Sequence, residues 1–487
     1  MMELIKNELN RTQTENGDTA YISTYDANLD FFGLAAASRY NQEQVSKLFL
    51  SAYSEDPSLA LMNLLYLRDI RSGLGERDSF RTCFDILCHT APNVAKKMLQ
   101  DIIRYGRTDD ILIGLRTPIE DDVVKLIKNT LEQDKNKLEE GRPTSLMAKW
   151  LPSENATKKE TIEQAKYLIE KLGYTPKQYR KLLSKLRSNK IIENNLRLKD
   201  YTFNYETVPG KALQKYEKAF IRNDIERYEH YLDGVNEGKV KINSATLYPY
   251  DIIRKFDYKM NEASKKQMQV LWDSIPKTLS KSKTIVVRDG SASMTMFHCL
   301  PMLISTSLAI LFSEQLEGEF KDTFITFSSD PQLIQLKGDN LYQKLLEIYS
   351  YNDISNTDIE KVYKLLLKVA DRPDFKKEDM IERIVIISDM EFDRGVERIP
   401  TYETFKEEFE KRGLSLPEIV YWNVCARRPH FAANAKDKNI RFVSGASHHT
   451  IDMLLNNEHI ESAYELMMRT LKPYEHVKEY VQESCIH

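Results

Sequence analysis

The sequence predicts a multidomain chain: an all-α helical-repeat module of HEAT-like character, followed by an α/β doubly wound module. Three observations predict it. At 487 residues the chain exceeds what one hydrophobic core normally serves. From about residue 42 apolar residues recur with helical spacing in short segments separated by brief polar joints. From residue 284 the pattern changes to β-branched runs alternating with helix-like segments, the signature of a parallel sheet. Gly and Pro together make about 7% of the chain, below the usual share, which favours long helices.

The elements follow in order. Residues 1–30 are polar and rich in Thr, Asn and Asp, and are expected to be an extended arm. Residues 31–275 form the helical module. Val45, Leu48 and Phe49 share one face of a helix that stops near Asp56-Pro57. Leu61, Leu64, Leu65 and Leu67 mark a helix buried on more than one side. Two joints concentrate arginine, glycine and acid: Leu67-Arg68-Asp69-Ile70-Arg71-Ser72-Gly73-Leu74-Gly75-Glu76-Arg77 and Arg104-Tyr105-Gly106-Arg107-Thr108-Asp109-Asp110. The arginines are expected to pair with Asp69, Glu76, Asp109 and Asp110 between helices. The glycines lack the Gly-Lys-Ser/Thr of a phosphate loop.

Charge is unevenly spread. The whole chain carries a net charge of -3, yet residues 142–222 hold 18 Lys/Arg against 8 Asp/Glu, and residues 276–487 hold 27 against 33. In the basic region, Lys177, Arg180, Lys181 and Lys185 are spaced to share a helix face opposite Leu182, Leu183 and Leu186. A one-sided cationic stripe is what a phosphate backbone requires. Tyr201, Phe203 and Tyr205 are either base-stacking aromatics or core.

Several classes are excluded or disfavoured. The five cysteines are scattered, with neither a disulfide framework nor zinc spacing, and suit a reducing cytoplasm. No signal peptide is apparent, and no unbroken apolar run reaches the length of a bilayer span, so no membrane partner is expected. No His-Glu-x-x-His, nucleophile elbow or Cys-His pair appears. Enzymatic activity is not expected; the one catalytic alternative is a metal-dependent phosphoesterase using Asp289, Asp389 and Asp393.

Tyr205-Glu206-Thr207-Val208-Pro209-Gly210-Lys211-Ala212 resembles the "VPxxA" segment of the TROVE module, as does Arg104-Tyr105-Gly106-Arg107-Thr108-Asp109-Asp110. Leu67 to Gly73 and Leu247-Tyr248-Pro249-Tyr250-Asp251-Ile252-Ile253 resemble a related family of unassigned function, DUF2828. That family joins TROVE-like helices to a von Willebrand factor A domain. TROVE proteins of the Ro autoantigen type form a ring of helical repeats that binds small noncoding or single-stranded RNA. The resemblance therefore implies an RNA partner for the helical module. Lys149, Arg180, Lys181, Lys185, Arg187 and Lys211 are the candidate RNA contacts.

A polar joint at residues 276–282 precedes the α/β module, residues 283–470, and residues 471–487 are read as a tail. Thr284-Ile285-Val286-Val287-Arg288 reads as a buried strand ending in Asp289-Gly290-Ser291-Ala292-Ser293. One carboxylate and two hydroxyls at i, i+2 and i+4 beyond a strand can converge on a hard cation such as Mg²⁺. Ile384-Val385-Ile386-Ile387-Ser388 is a second strand and closes on Asp389. Thr357 lies in the loop before a helix. In a doubly wound sheet, ligands bind beyond the carboxyl ends of strands.

This order resembles the metal-ion-dependent adhesion site of von Willebrand factor A domains. The resemblance implies Mg²⁺, or another divalent cation, held directly by Ser291, Ser293 and Thr357. Asp289 and Asp389 would hold its waters. One coordination position would stay open for the carboxylate of an acidic protein ligand. Two departures stand out: Ala292 replaces a glycine common in the family, and Arg288 precedes Asp289, where it is placed to salt-bridge Asp389 or Asp393.

Overall fold

The β-branched runs become one sheet because a strand covered by helices on both faces must be apolar on both faces. In a computed structural model of the chain, which describes residues 6, 8–187, 192–351, 358–393, 401–433, 439–455 and 461–482, strands β3 (Thr284–Asp289), β4 (Thr323–Phe327), β5 (Leu333–Gln335), β6 (Arg383–Ser388), β7 (Glu418–Asn423) and β8 (Ile440–Ser444) follow a short hairpin of β1 (Arg11–Gln13) and β2 (Thr19–Tyr21). The sheet order is β5-β4-β3-β6-β7-β8. All neighbours are parallel except β5, which runs antiparallel to β4 at the edge. From β3 the chain moves outward to β4 and β5, then returns to the opposite side of β3 as β6. The carboxyl ends of β3 and β6 therefore flank the switch point, where a crevice opens.

The pleat assigns the two faces. Val286, Val385, Ile387, Val420 and Trp422 pack with Ile304, Leu308, Leu311 and Phe312 of helix Met296–Glu314. Ile285, Val287, Ile384, Ile386 and Tyr421 face the other layer with Val362, Tyr363, Phe405 and Phe409. The helical stretch Ala292–Glu314, which contains helix Met296–Glu314, is long and apolar enough to cross a membrane by length and composition, contrary to the reading from unbroken runs. Its residues Ile304 to Ser313 are buried in the protein, which accounts for that composition.

The helical module is not a separate core. Helix Ala27–Leu34 packs on β8, and Ser444 Oγ donates to the Phe32 carbonyl at 3.2 Å. Helices Pro249–Ile253 and Glu262–Asp273 share their cluster with helix Met296–Glu314. The joint at 276–282 thus separates sequence patterns but not cores. Gly445, at φ 94°, fits here because a Cβ would come within 2.9 Å of the Ala36 Cβ.

Both termini depart from expectation. The arm contains the β1–β2 hairpin, and helix Ala27–Leu34 begins inside it, N-capped by Asp26, whose side chain accepts from Leu29 N. The segment read as a tail is helical at Lys472–Val477 and Lys478–Gln482, and docks on the first helices. The Tyr474 hydroxyl donates to Asp69 at 2.9 Å, and the Tyr480 hydroxyl donates to Asp101 at 2.8 Å.

Arginine–acid pairing is met at Asp109 and Asp110, whereas Glu76 pairs with Arg39 at 2.6 Å and Asp69 accepts from the Arg71 and Ser72 backbone and from Tyr474 in place of an arginine. Arg68 Nε donates to Asp110 at 2.8 Å with both side chains buried. Arg81 contacts Asp110 at 2.7 Å and Asp109 at 2.9 Å, and Arg107 closes on Asp109 at 2.8 Å. These arginines fasten consecutive helices. Tyr205 likewise belongs to the core, packed with Phe220, Tyr228 and Tyr231.

Candidate cation site and cationic helix face

Strand β3 ends on Asp289, strand β6 ends on Ser388, and Asp389 follows. Because β3 and β6 are neighbours, their carboxyl ends arrive side by side. Asp289 is locked from three directions. Its Oδ1 accepts the Ser291 N–H at 2.9 Å, its Oδ2 accepts the Ser388 hydroxyl at 2.5 Å, and Ser305 Oγ donates to its carbonyl at 3.0 Å. Ser291 and Ser293 hold their hydroxyl oxygens 3.0 Å apart. Ser293 also lies near enough to Asp389 to lower its carboxyl, so the four side chains form one cluster. Asp289, Ser291 and Asp389 are buried, while Ser293 opens toward solvent. Thr357 lies outside the described residues.

The cluster is electrostatically unsatisfied in a way a cation would relieve. Burial, and then the neighbouring Asp389, push the Asp289 carboxyl up to about 7. Burial also raises Asp389, offset in part by Arg427. The donors are all oxygen, as a hard divalent cation requires. Among the described residues no group of three His, Cys, Asp or Glu side chains is arranged to hold a metal, so any cation here depends on the serine hydroxyls. The residues fit Mg²⁺ on chemistry and charge.

Arg288 does not take the place expected for it. It is fully buried, and its guanidinium turns to Thr306 Oγ1 at 2.8 Å and Met302 Sδ at 3.1 Å on helix Met296–Glu314. Side chains alternate along a strand, so Arg288 shares the helix-covered face of Val286, opposite to the face of Asp289. The cation beside Asp389 is Arg427, with Nη2 3.1 Å from Oδ2. Arg427 lies four residues beyond β7, the next strand in the sheet. Its place after a carboxyl strand end was the available sequence signal.

A further rim residue, Glu391, sits 3.3 Å from His430 Nε2. Between Asp389 and Glu391, Met390 adopts φ 66°, a left-handed conformation costing a non-glycine residue about 1–2 kcal/mol. That turn brings the Met390 N–H to Ser388 Oγ at 3.0 Å, so the same hydroxyl links the turn to Asp289.

The candidate RNA contacts divide. Helix Pro176–Arg187 buries Tyr179, Leu183 and Leu186, and leaves Lys177, Arg180, Lys181 and Lys185 exposed. Arg180 pairs with Glu154, and Lys185 meets Glu139 at 3.4 Å. Arg187 is not on this face. Its guanidinium donates to the carbonyls of Ala148 and Leu151, each at 2.7 Å, so it ties two helices together. Lys211 pairs with Asp251 at 3.0 Å. Lys149 lies 5.4 Å from the centre of the Trp150 ring, which Arg107 also covers at 3.8 Å.

The comparisons with known proteins agree with one part of the sequence reading, the resemblance to DUF2828. The domain of unknown function DUF2828 matches residues 14–105 and 154–285, the region whose motifs resemble that family. A second domain of unknown function, DUF7788, matches residues 283–484, the sheet and its flanking helices. The chain is similar to uncharacterized protein L728 of Acanthamoeba polyphaga mimivirus, with 28% identity across 96% of this chain and 88% of the relative. Among solved structures, the Ro (RSR) protein of Deinococcus radiodurans aligns with 93% of this chain and 100% of its own, at 14% identity and a TM-score of 0.47.

Proposed function

We propose that this protein is a cytoplasmic, non-enzymatic RNA-binding scaffold. In this reading a TROVE-like helical module binds small noncoding or single-stranded RNA. A von Willebrand factor A-like module presents a divalent-cation site to an acidic protein ligand. The outward cationic face of helix Pro176–Arg187 carries the RNA reading. Its pairs with Glu154 and Glu139 are surface ion pairs, worth about 0–1 kcal/mol each, and yield readily to phosphate. Lys181→Glu with Lys185→Glu is expected to weaken binding of a single-stranded RNA at least tenfold in a low-salt gel shift. Unchanged affinity in that double variant would remove this face from the account, and no binding by the wild type would remove RNA.

At the second site, Asp289, Ser291, Ser293 and Asp389 would hold Mg²⁺. The bound ion would supply an electrophilic position for a carboxylate oxygen. Ser388 positions Asp289, and Arg427 balances Asp389. Mg²⁺ at a hundred times its dissociation constant should stabilise the protein by about 2.7 kcal/mol. The Ser291→Ala/Ser293→Ala variant should lose that gain. A melting curve indifferent to Mg²⁺ in the wild type would rule the cation out.

An adaptor that binds only protein is the second reading, and the rim chemistry of Arg427 and Glu391 favours it. A purified sample free of nucleic acid by its 260/280 absorbance ratio, with the Mg²⁺ stabilisation intact, would select it.

A further inference from the structure

The rim of the candidate cation site is already occupied from within the chain. The β1–β2 hairpin reaches across more than 370 residues of sequence to lie on the loop after β6. Thr14 Oγ1 donates to the Phe392 carbonyl at 2.6 Å, and the Glu15 N–H donates to Glu391 Oε2 at 2.6 Å. Asn16 Nδ2 donates to the Glu391 carbonyl at 2.7 Å, and Gly17 bridges to Asp393. The other end is pinned by reciprocal backbone bonds between Tyr21 and Phe431, at 2.9 and 2.8 Å. At the tip, the Glu15 carboxylate pairs with Arg427 Nη1, while Nη2 of the same guanidinium holds Asp389 at 3.1 Å.

Two features set this apart from a permanent brace. The hairpin pairs only three residues per strand, and a ribbon that small has little stability of its own, so its order depends on docking. Its seat is also strained by like charge. Asp18 is buried near Asp358, Glu360 and Asp393, and burial with those neighbours raises its carboxyl to about 6. The Glu15–Arg427 pair lies toward solvent, with side chains 43% and 19% exposed, where one carboxylate can replace another.

We propose that the hairpin is a tethered occupant of this rim: Glu15 supplies in cis the carboxylate that an acidic peptide partner supplies in trans, and Arg427 receives either one. The inference rests on the reading of this rim as a carboxylate-binding site and adds its regulation. Binding of the partner requires the hairpin tip to leave, so the free chain holds itself in the low-affinity state. The cost of release is that of one exposed ion pair and a few tip hydrogen bonds, within reach of a multivalent acidic segment.

The test uses the full-length chain and a fluorescent hexaglutamate peptide in the presence of Mg²⁺. Glu15→Gln should bind the peptide at least tenfold more tightly than the wild type. Arg427→Gln placed on top of it should abolish that gain. Amide hydrogen exchange in residues 11–21 should speed up at least tenfold in Glu15→Gln and in Arg427→Gln made alone. Equal peptide affinity in the wild type and Glu15→Gln, including none in either, overturns the proposal. So does exchange in 11–21 that neither variant changes. Mg²⁺ melting curves on the same proteins separate the two claims. A normal Mg²⁺ response with no gain in Glu15→Gln defeats only the tethered occupant. Faster exchange and an Arg427-dependent gain with no Mg²⁺ response defeat only the cation.

Discussion

Asp110→Ala is expected to cost the protein about 3–5 kcal/mol, because it strands a buried guanidinium. Arg68 is 2% exposed and Asp110 fully buried, with their charges 2.8 Å apart. Asp110 also accepts from Arg81 at 2.7 Å and from the Arg107 N–H at 2.9 Å, so one carboxylate fastens three segments. Arg81 keeps Asp109 in the variant, whereas among the described residues Arg68 is left with only the Gly75 carbonyl at 3.4 Å. The shift should appear as a lower urea midpoint at an unchanged slope. Arg68→Met combined with Asp110→Leu should cost far less, since no charge remains buried. Comparable losses in both variants would mean that shape, not charge, sets the stability of this joint.

The second large effect is an acid one. His448 is 7% exposed in the loop after β8, against its neighbour His449 at 4.2 Å between ring centres. Burial, with a smaller contribution from His449, depresses His448 to about 3, against 6.5 for the free side chain. The sign follows from proton counting. Above pH 6.5 neither state binds the proton and His448 costs nothing. Below it the unfolded chain takes up a proton that the folded chain refuses until about pH 3, so stability falls with pH across that window. The loss should reach about 2.7 kcal/mol by pH 4.5, two pH units below the unfolded value at about 1.36 kcal/mol each. Asp18, raised to about 6, acts in the opposite sense, because the folded state binds its proton first. The difference between the wild type and His448→Gln isolates the histidine. It should widen steadily from pH 6.5 to 4.5, and parallel pH profiles would rule out a neutral, buried His448. The loop carrying it meets the helical module through Gly445 and Ala36. Acid should therefore loosen the seam between the modules first.

The sequence by itself determined where the strands lie and what ends them. Strands β3 and β6, read at 284–288 and 384–388, were legible to within one residue at Thr284–Asp289 and Arg383–Ser388, because a strand buried on both faces tends to an apolar run. It also determined that Asp289, Ser291 and Ser293 stand at the rim, since their spacing and their place after a strand are local properties. The outward cationic face of helix Pro176–Arg187 was legible for the same reason, through a 3.6-residue period. Tertiary structure alone decided which charges meet. Arg288 adjoins Asp289 in sequence yet faces the opposite layer, while Arg427, 38 residues after Asp389, reaches it because β6 and β7 are neighbours. Arg187 looked like a member of the stripe and instead satisfies two backbone carbonyls. The arm at residues 1–30 carried no periodic signal, and the order of its hairpin, residues 11–21, depends on docking on the rim through Thr14, Glu15 and Asn16. Pairings between distant segments are fixed by the order of strands in the sheet, and no local pattern encodes that order.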